Sequence, residues 1–151
     1  MELAELLTII SISLAALGLF ANYYQIRKAN IQKRAEYIVK LYNDFVNDTD
    51  MIDIYYQLEY SDFEYNDEFH GSETEKNLDK LLGHFSNIGR LYFMGILKKK
   101  DLKFLEYEFL IIYQNRNIQN YLKFLDNLFK SREINDEKFE YLRKTGKLLD
   151  S

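Results

Sequence analysis

The chain of 151 residues has no cysteine, no proline and no tryptophan, and only 6 glycines. Lacking cysteine, it has no disulfides, thiolate metal sites or cysteine nucleophiles, which fits a reducing compartment. Lacking proline, and with so little glycine, it has few helix breakers, so the composition predicts long helices. An excess of positive charge is also missing: the formal net charge is −4, which leaves no broad polycationic surface and confines any nucleic-acid contact to a local basic patch. Apolar and charged residues are both plentiful, and the length suffices for one domain plus an anchor.

Charge is absent along one stretch in particular. From Leu6 to Ile26 no residue is ionisable to a charged side chain at neutral pH, and about twenty helical residues cross a ~30 Å hydrocarbon core. A cleaved secretory signal begins with a basic region, whereas Glu2 and Glu5 precede this run and Tyr23, Tyr24, Arg27 and Lys28 follow it, so the segment reads as an uncleaved anchor. Arg27, Lys28, Lys33 and Arg34 place the C-terminal part in the cytoplasm by the positive-inside rule, with the N-terminus outside a bacterial inner membrane and Tyr23 and Tyr24 at the inner interface. The organisation expected is an anchor over residues 1–28 and a cytoplasmic domain over residues 29–151.

Within the anchor, Ala4, Thr8, Ser11, Ala15, Gly18, Asn22, Gln25, Ala29 and Gln32 follow one another at alternating spacings of four and three. That is a heptad seam, which keeps one stripe facing a common axis and leaves Ile9, Ile10, Leu14, Leu17 and Phe20 largely for lipid. Two readings of the seam stand open. Small residues allow close packing in a dimer, or Thr8, Ser11, Ala15, Gly18, Asn22 and Gln25 line a narrow aqueous path in a higher oligomer. Asn22 and Gln25 weigh toward protein or water, because carboxamides rarely face lipid; Ser13 lies off the stripe and fits neither reading neatly. Arg27, Lys28 and Lys33 at an inner mouth would favour anions, and Glu2 and Glu5 argue the other way.

Beyond the membrane, the helix is expected to run unbroken to about Asn47, with a second stripe of Ile31, Ala35, Ile38, Tyr42 and Phe45 suited to packing on the domain. A helix from about Asp50 to Tyr60 and a polar, aromatic-rich loop from Ser61 to Gly71 follow. Ser72 and Glu75 form a capping-box pattern ahead of Leu78, Leu81, Leu82, Phe85, Ile88 and Tyr92, in a helix that Gly95 ends. Asp101 is read as the N-cap of a helix carrying Leu102, Leu105, Phe109 and Ile112, the second arm of an antiparallel hairpin. Asn115, Arg116, Asn117 and Gln119 then interrupt the apolar rhythm, by a kink or by a polar face, before Tyr121, Leu125 and Leu128 resume it. Asn135 and Asp136 open a final helix that ends near Gly146. The fold class expected is all-α: one membrane helix continuing into a cytoplasmic bundle of about five helices with a central hairpin.

Chemistry is sparse. His70 and His84 are not at metal-ligand spacing. The carboxylates Glu106, Glu108, Glu137 and Glu140 lie among basic neighbours, as on solvated helix faces. Neither a phosphate-cradling loop nor a nucleophile elbow occurs, so no cofactor is expected and the residues argue against an enzyme. A basic and aromatic mixture could hold single-stranded nucleic acid, with cations for phosphates and rings for bases: Lys98, Lys99, Lys100 and Lys103, then Tyr113, Arg116, Tyr121 and Arg132. Against it, a lysine run at a helix turn is usually a solvated cap or lies near anionic lipid, and thirteen tyrosines put some ring near a cation regardless.

The segment LDKLLGHFSNIGRLYFMGILKKKDLKFLEYEFLIIYQNRNIQNYLKFLDNLFKSRE, with the anchor and the stretch KRAEYIVKLYNDF before it, resembles a bacterial family built of a membrane helix and a helical domain with a central hairpin. It is similar in particular to the transmembrane effectors of Hailong-type anti-phage defence. The likeness runs from Leu6 to Leu149 and lies in apolar patterns rather than a catalytic signature. It implies a homotetrameric ion channel held closed by single-stranded oligodeoxyadenylate from a partner nucleotidyltransferase, whose loss during infection depolarises the membrane. A rival expectation from the residues alone is a membrane-tethered adaptor whose anchor only localises a protein-binding domain.

Overall fold

The computed structural model describes residues 3–66 and 68–151. Glu2, read above as preceding the apolar run, and Asp67 of the expected loop lie outside them. The described residues form seven helices and no strand: α1 (Leu3–Val46), α2 (Thr49–Glu59), α3 (Glu73–Phe93), α4 (Lys99–Leu102), α5 (Glu106–Gln114), α6 (Arg116–Ser131) and α7 (Glu140–Leu149). The all-α class and the long apolar N-terminal helix follow from the sequence as expected. The chain divides into two compact units, Met1–Ile38 and Val39–Ser151.

Among the described residues the first unit is helix alone. With only Gly18 to weaken it, α1 runs 44 residues, ~66 Å at 1.5 Å per residue. It stops where Asp48 takes extended backbone geometry and caps α2, its carboxylate accepting from the Met51 N–H at 3.1 Å.

The second unit is a helical domain built on rings and leucines. Phe45, at the end of α1, meets Tyr55 and Phe85 edge to face, each at 5.3 Å between centroids, and Phe85 meets Phe109 of α5 at 4.9 Å. The two arms of the expected hairpin, α3 and α5, therefore share one core, and Leu78, Leu81, Leu82, Ile88, Ile112, Ile118 and Leu122 fill it. Of the second stripe on α1, Phe45 is buried and Tyr42 packs on Phe104, whereas Ile31 and Ala35 are exposed.

The C-terminal helix packs most extensively, against both α3 and α5. It approaches them at two glycines. A Cβ on Gly89 would lie 2.5 Å from Thr145 Oγ1 and 2.6 Å from the Tyr141 carbonyl, and one on Gly146 would lie 2.3 Å from the Tyr113 ring. Gly146 therefore sits inside α7 rather than ending it, and the helix begins later than expected, at Glu140 after Phe139 in the left-handed region (φ 60°). Arg143 fastens α7 to α6: its two terminal nitrogens reach the two Asp126 oxygens at 2.9 and 2.7 Å.

The turns show which local signals carried. Ser72 caps α3 through the Glu75 N–H, but the Glu75 carboxylate returns to the Gly71 N–H, one residue earlier than a capping box has it. Gly95 (φ 76°) ends α3 in a Schellman motif, with the Ile96 N–H on the Leu91 carbonyl and the Gly95 N–H on that of Tyr92. Asp101 is not an N-cap: it lies inside the single turn α4, accepting from the Lys98 N–H at 2.8 Å, and the chain breaks again at Lys103 before α5 starts. The interruption at Asn115 is a true break, since this residue ends α5 and caps α6 through the Asn117 and Ile118 N–H groups.

Candidate membrane span and ligand-binding residues

An apolar window of α1 is long enough and uncharged enough to cross a membrane, and none of that window is buried against the rest of the chain. Leu14, Leu17, Leu19 and Phe20 are all more than 60 % exposed. Each such side chain forgoes ~1.5–3 kcal/mol of burial if left in water, so the helix demands a bilayer or a partner.

Its hydroxyls are satisfied internally. Thr8 Oγ1 donates to the Ala4 carbonyl at 2.8 Å, Ser11 Oγ to Leu7 at 2.9 Å and Ser13 Oγ to Ile9 at 2.8 Å. Ser13 lies about 200° around the helix from Ser11, and this back-bond accounts for a serine off the stripe: its one donor needs neither water nor a partner helix. Gly18 has open space on its Cβ side. The Asn22 and Gln25 carboxamides, in contrast, make no hydrogen bond among the described residues. Ala15 completes the stripe, and Tyr23 and Tyr24, at the charged end of the run, are 65 % and 68 % exposed.

The basic and aromatic candidates do not converge. Lys98, Lys99, Lys100 and Lys103 are exposed on the connection between α3 and α5. Arg116 opens α6 and Arg132 follows its last residue, so a helix of 16 residues, ~24 Å, separates them. Tyr113 is half-buried beneath Gly146. Tyr121 is fully buried, with its one hydroxyl proton shared between the carboxylates of Asp79 at 2.8 Å and Glu75 at 3.1 Å. Burial and these carboxylates push its phenol far above the usual range, so it is a protonated donor. Neither ring is offered to a base.

What sequence reasoning missed is the network around Tyr121. Glu75 also receives His70 Nδ1 at 3.2 Å, His70 Nε2 faces the Tyr65 hydroxyl at 3.1 Å, and Lys138 pairs with Asp79 at 2.5 Å. Burial alone would raise the Glu75 carboxyl, but the Gly71 N–H, His70 and Tyr121 outweigh it and hold the group below the usual carboxylate range. Phe63 and Phe69, both 3 % exposed, and the bond from Asn117 Nδ2 to the Phe63 carbonyl pin the same loop. The network fastens the 61–71 connection to α3 and α6, and the full burial of Tyr121 leaves no reactant access to its hydroxyl. A sequence cue existed only in Phe63 and Phe69, two large apolar residues in an otherwise polar loop. Among the described residues no cluster of three His, Asp or Glu side chains is placed to hold a metal ion. No protein-family model matches this chain, and no curated protein and no solved structure matches it.

Proposed function

We propose that this protein is a single-pass effector of a bacterial inner membrane, N-terminus outside, whose copies assemble through the α1 seam into a homo-oligomeric ion channel governed by the cytoplasmic domain. The observation that carries the reading is an apolar window of α1, none of it buried, with one small, polar stripe. An anchor needs only apolar side chains, whereas Asn22 and Gln25 bring unpaired carboxamides to the stripe that Thr8, Ser11, Ala15 and Gly18 continue. Arg27, Lys28, Lys33 and Arg34 support the orientation. The tetramer, the anti-phage role, the partner nucleotidyltransferase and closure by single-stranded oligodeoxyadenylate rest on the family resemblance.

The test is to replace Leu6–Ile26 with an unrelated Leu-rich span and measure ion flux from proteoliposomes. Insertion should persist and flux should vanish; flux that survives the exchange contradicts the pore. Adding oligodeoxyadenylate to the wild-type channel should suppress flux, and an unchanged rate would remove that ligand. A second reading, the tethered adaptor, is favoured by one observation: Thr8 and Ser11 donate to their own helix and have no need of water. It predicts a correctly inserted oligomer or monomer without flux.

A further inference from the structure

The outward side of α2 is tyrosine and acid. Asp53, Tyr56, Gln57 and Tyr60 share one side of the helix and are exposed, while Ile54, Tyr55 and Leu58 face the core. The Tyr56 and Tyr60 rings stack at 6.1 Å, and Tyr107 of α5 extends the surface, its hydroxyl donating to Glu59 Oε1 at 2.8 Å. Tyr56, Tyr60 and Tyr107 remain 48–69 % exposed, an aromatic shelf with no covering element.

Carboxylates border the shelf without cations. Glu59 and Glu108 are half-buried beside it, and neither pairs with a lysine or arginine among the described residues. The Glu59 hydrogen bond, then burial and the charges of Glu59 and Glu108, raise the Tyr107 phenol, so both carboxyls lie close to that ring. Burial and the Glu59 charge in turn raise the Glu108 carboxyl. Two neighbouring carboxyls beside tyrosine rings suit an ammonium group, which relieves their like charge and gains from the ring faces. The local chain supplies none: residues 41–75 hold 11 of the 24 acidic residues and no lysine or arginine.

The unpaired cations lie on the connection from α3 to α5. Lys98, Lys99, Lys100 and Lys103 are exposed there, and Lys99, Lys100 and Lys103 make no ion pair among the described residues. The same connection holds out Ile96 and Phe104, 46 % and 54 % exposed. The Gly95 turn puts both the Ile96 and the Leu97 N–H on the Leu91 carbonyl, and only Leu97 enters the core. Within one copy, then, the lysines do not pair with Glu59 or Glu108. Charge selects the occupant: a phosphate ligand would use the lysines and leave the acidic shelf bare, whereas a second copy of the chain satisfies both surfaces at once. Both surfaces belong to the compact unit Val39–Ser151, so the argument is independent of how α1 is set.

We infer that the shelf on α2 and α5 is a docking surface for a second copy of this chain, whose Lys99, Lys100 and Lys103 pair with Glu59 and Glu108. Ile96 and Phe104 of the entering copy lie against the tyrosine rings. The inference rests on the reading of the chain as a homo-oligomer and adds to the α1 seam a contact between domains. Because the receiving surface differs from the entering one, the contact repeats around a ring or occurs twice across a two-fold axis.

The protein has no cysteine, so an introduced one is a unique cross-linking site. Two differently tagged full-length chains, one with Gln57→Cys on the shelf and one with Ile96→Cys on the connection, are mixed in detergent and treated with a short bismaleimide. The expected product joins position 57 of one copy to position 96 of another. Lys123→Cys on exposed α6, replacing Gln57→Cys as a control, should give little product. Raising salt to ~1 M, where the Debye length is ~3 Å, should lower the yield without any further substitution. Glu59→Gln with Glu108→Gln should lower it roughly tenfold, with an unchanged melting temperature showing that the loss is not unfolding. Several outcomes overturn the inference. An oligomer by detergent-corrected mass that gives no 57–96 product removes the domain contact and leaves the seam. A monomer by mass removes the homo-oligomer reading as well, and the mass separates the two failures. A 57–96 yield indifferent to both salt and the glutamine variants assigns the proximity to α1 alone. If no 57–96 product forms and the thiol at 96 is protected from a maleimide only on addition of phosphatidylglycerol or of single-stranded oligonucleotide, the lysines serve a phosphate ligand instead.

Discussion

Gly89 and Gly146 stand where α7 comes closest to its neighbours, and at both a methyl group has nowhere to go. Gly89→Ala would push Cβ to 2.5 Å from Thr145 Oγ1 and 2.6 Å from the Tyr141 carbonyl, so the helices must part, at a cost of ~1–3 kcal/mol. Gly146→Ala meets the Tyr113 ring and should cost as much. Gly83→Ala is the contrast: its nearest neighbour is Phe139 Cε1 at 3.9 Å, and the gain in helix propensity should stabilise by ~0.5–1 kcal/mol. Thermal melting of the three full-length variants in detergent checks the order, which fails if Gly83→Ala is the most damaging. His84 supplies a second prediction. Burial lowers its pKa, against the pull of the Leu41 carbonyl and the charges of Asp44 and Asp48, and its Nε2 has no partner among the described residues. The unfolded chain then binds the proton more readily, so stability present above the ordinary pKa of ~6.5 is lost as pH falls below it. Carboxylates such as Asp48 and Glu75, whose pKa values are lowered, contribute stability that is complete above their ordinary values near 4 and is lost only below them, outside this window. His84→Phe, which keeps a ring beside Phe45, should flatten the melting temperature between about pH 6.5 and 5; an unaltered slope would remove His84 as its source.

At the scale of elements, helices were legible wherever periodicity and breakers agreed. The absence of proline over α1, the Ser72 cap and the stripe from Leu78 to Tyr92 left no competing reading. Glycine was ambiguous: Gly95 ends α3 with a positive φ, while Gly146, equally near a helix end in the sequence, lies inside α7 to admit the Tyr113 ring. Only the partner helix distinguishes these roles, and the partner is not local information. Asp101 misled for a related reason, since a short acid before an apolar run caps a long helix or closes one turn through the Lys98 N–H, and the sequence signal is the same. Of the candidate ligand residues, the lysines were legible as exposed, whereas Tyr121 was not legible as buried, because the carboxylates that receive its hydroxyl lie 42 and 46 positions away. Tyr121→Phe would leave Glu75 and Asp79 with His70, Lys138 and the Gly71 N–H and should cost ~1–3 kcal/mol, read as a lower melting temperature and faster proteolysis in the 61–71 connection. A variant as stable as wild type would reduce the network to incidental contact.

For the whole molecule, one surface stands out: the uncovered apolar window of α1. It is out of place on a free-standing soluble particle, and in the proposed reading a bilayer covers it. The seam then decides between anchor and channel. The most direct measurement is ion flux from liposomes containing wild-type protein and the Ser11→Leu, Asn22→Leu double variant, alongside a detergent-corrected mass. The channel account predicts flux from a defined oligomer of the wild type, and none from a double variant that inserts equally well. Equal flux from both, or none from a correctly inserted wild type with or without oligodeoxyadenylate, would contradict it.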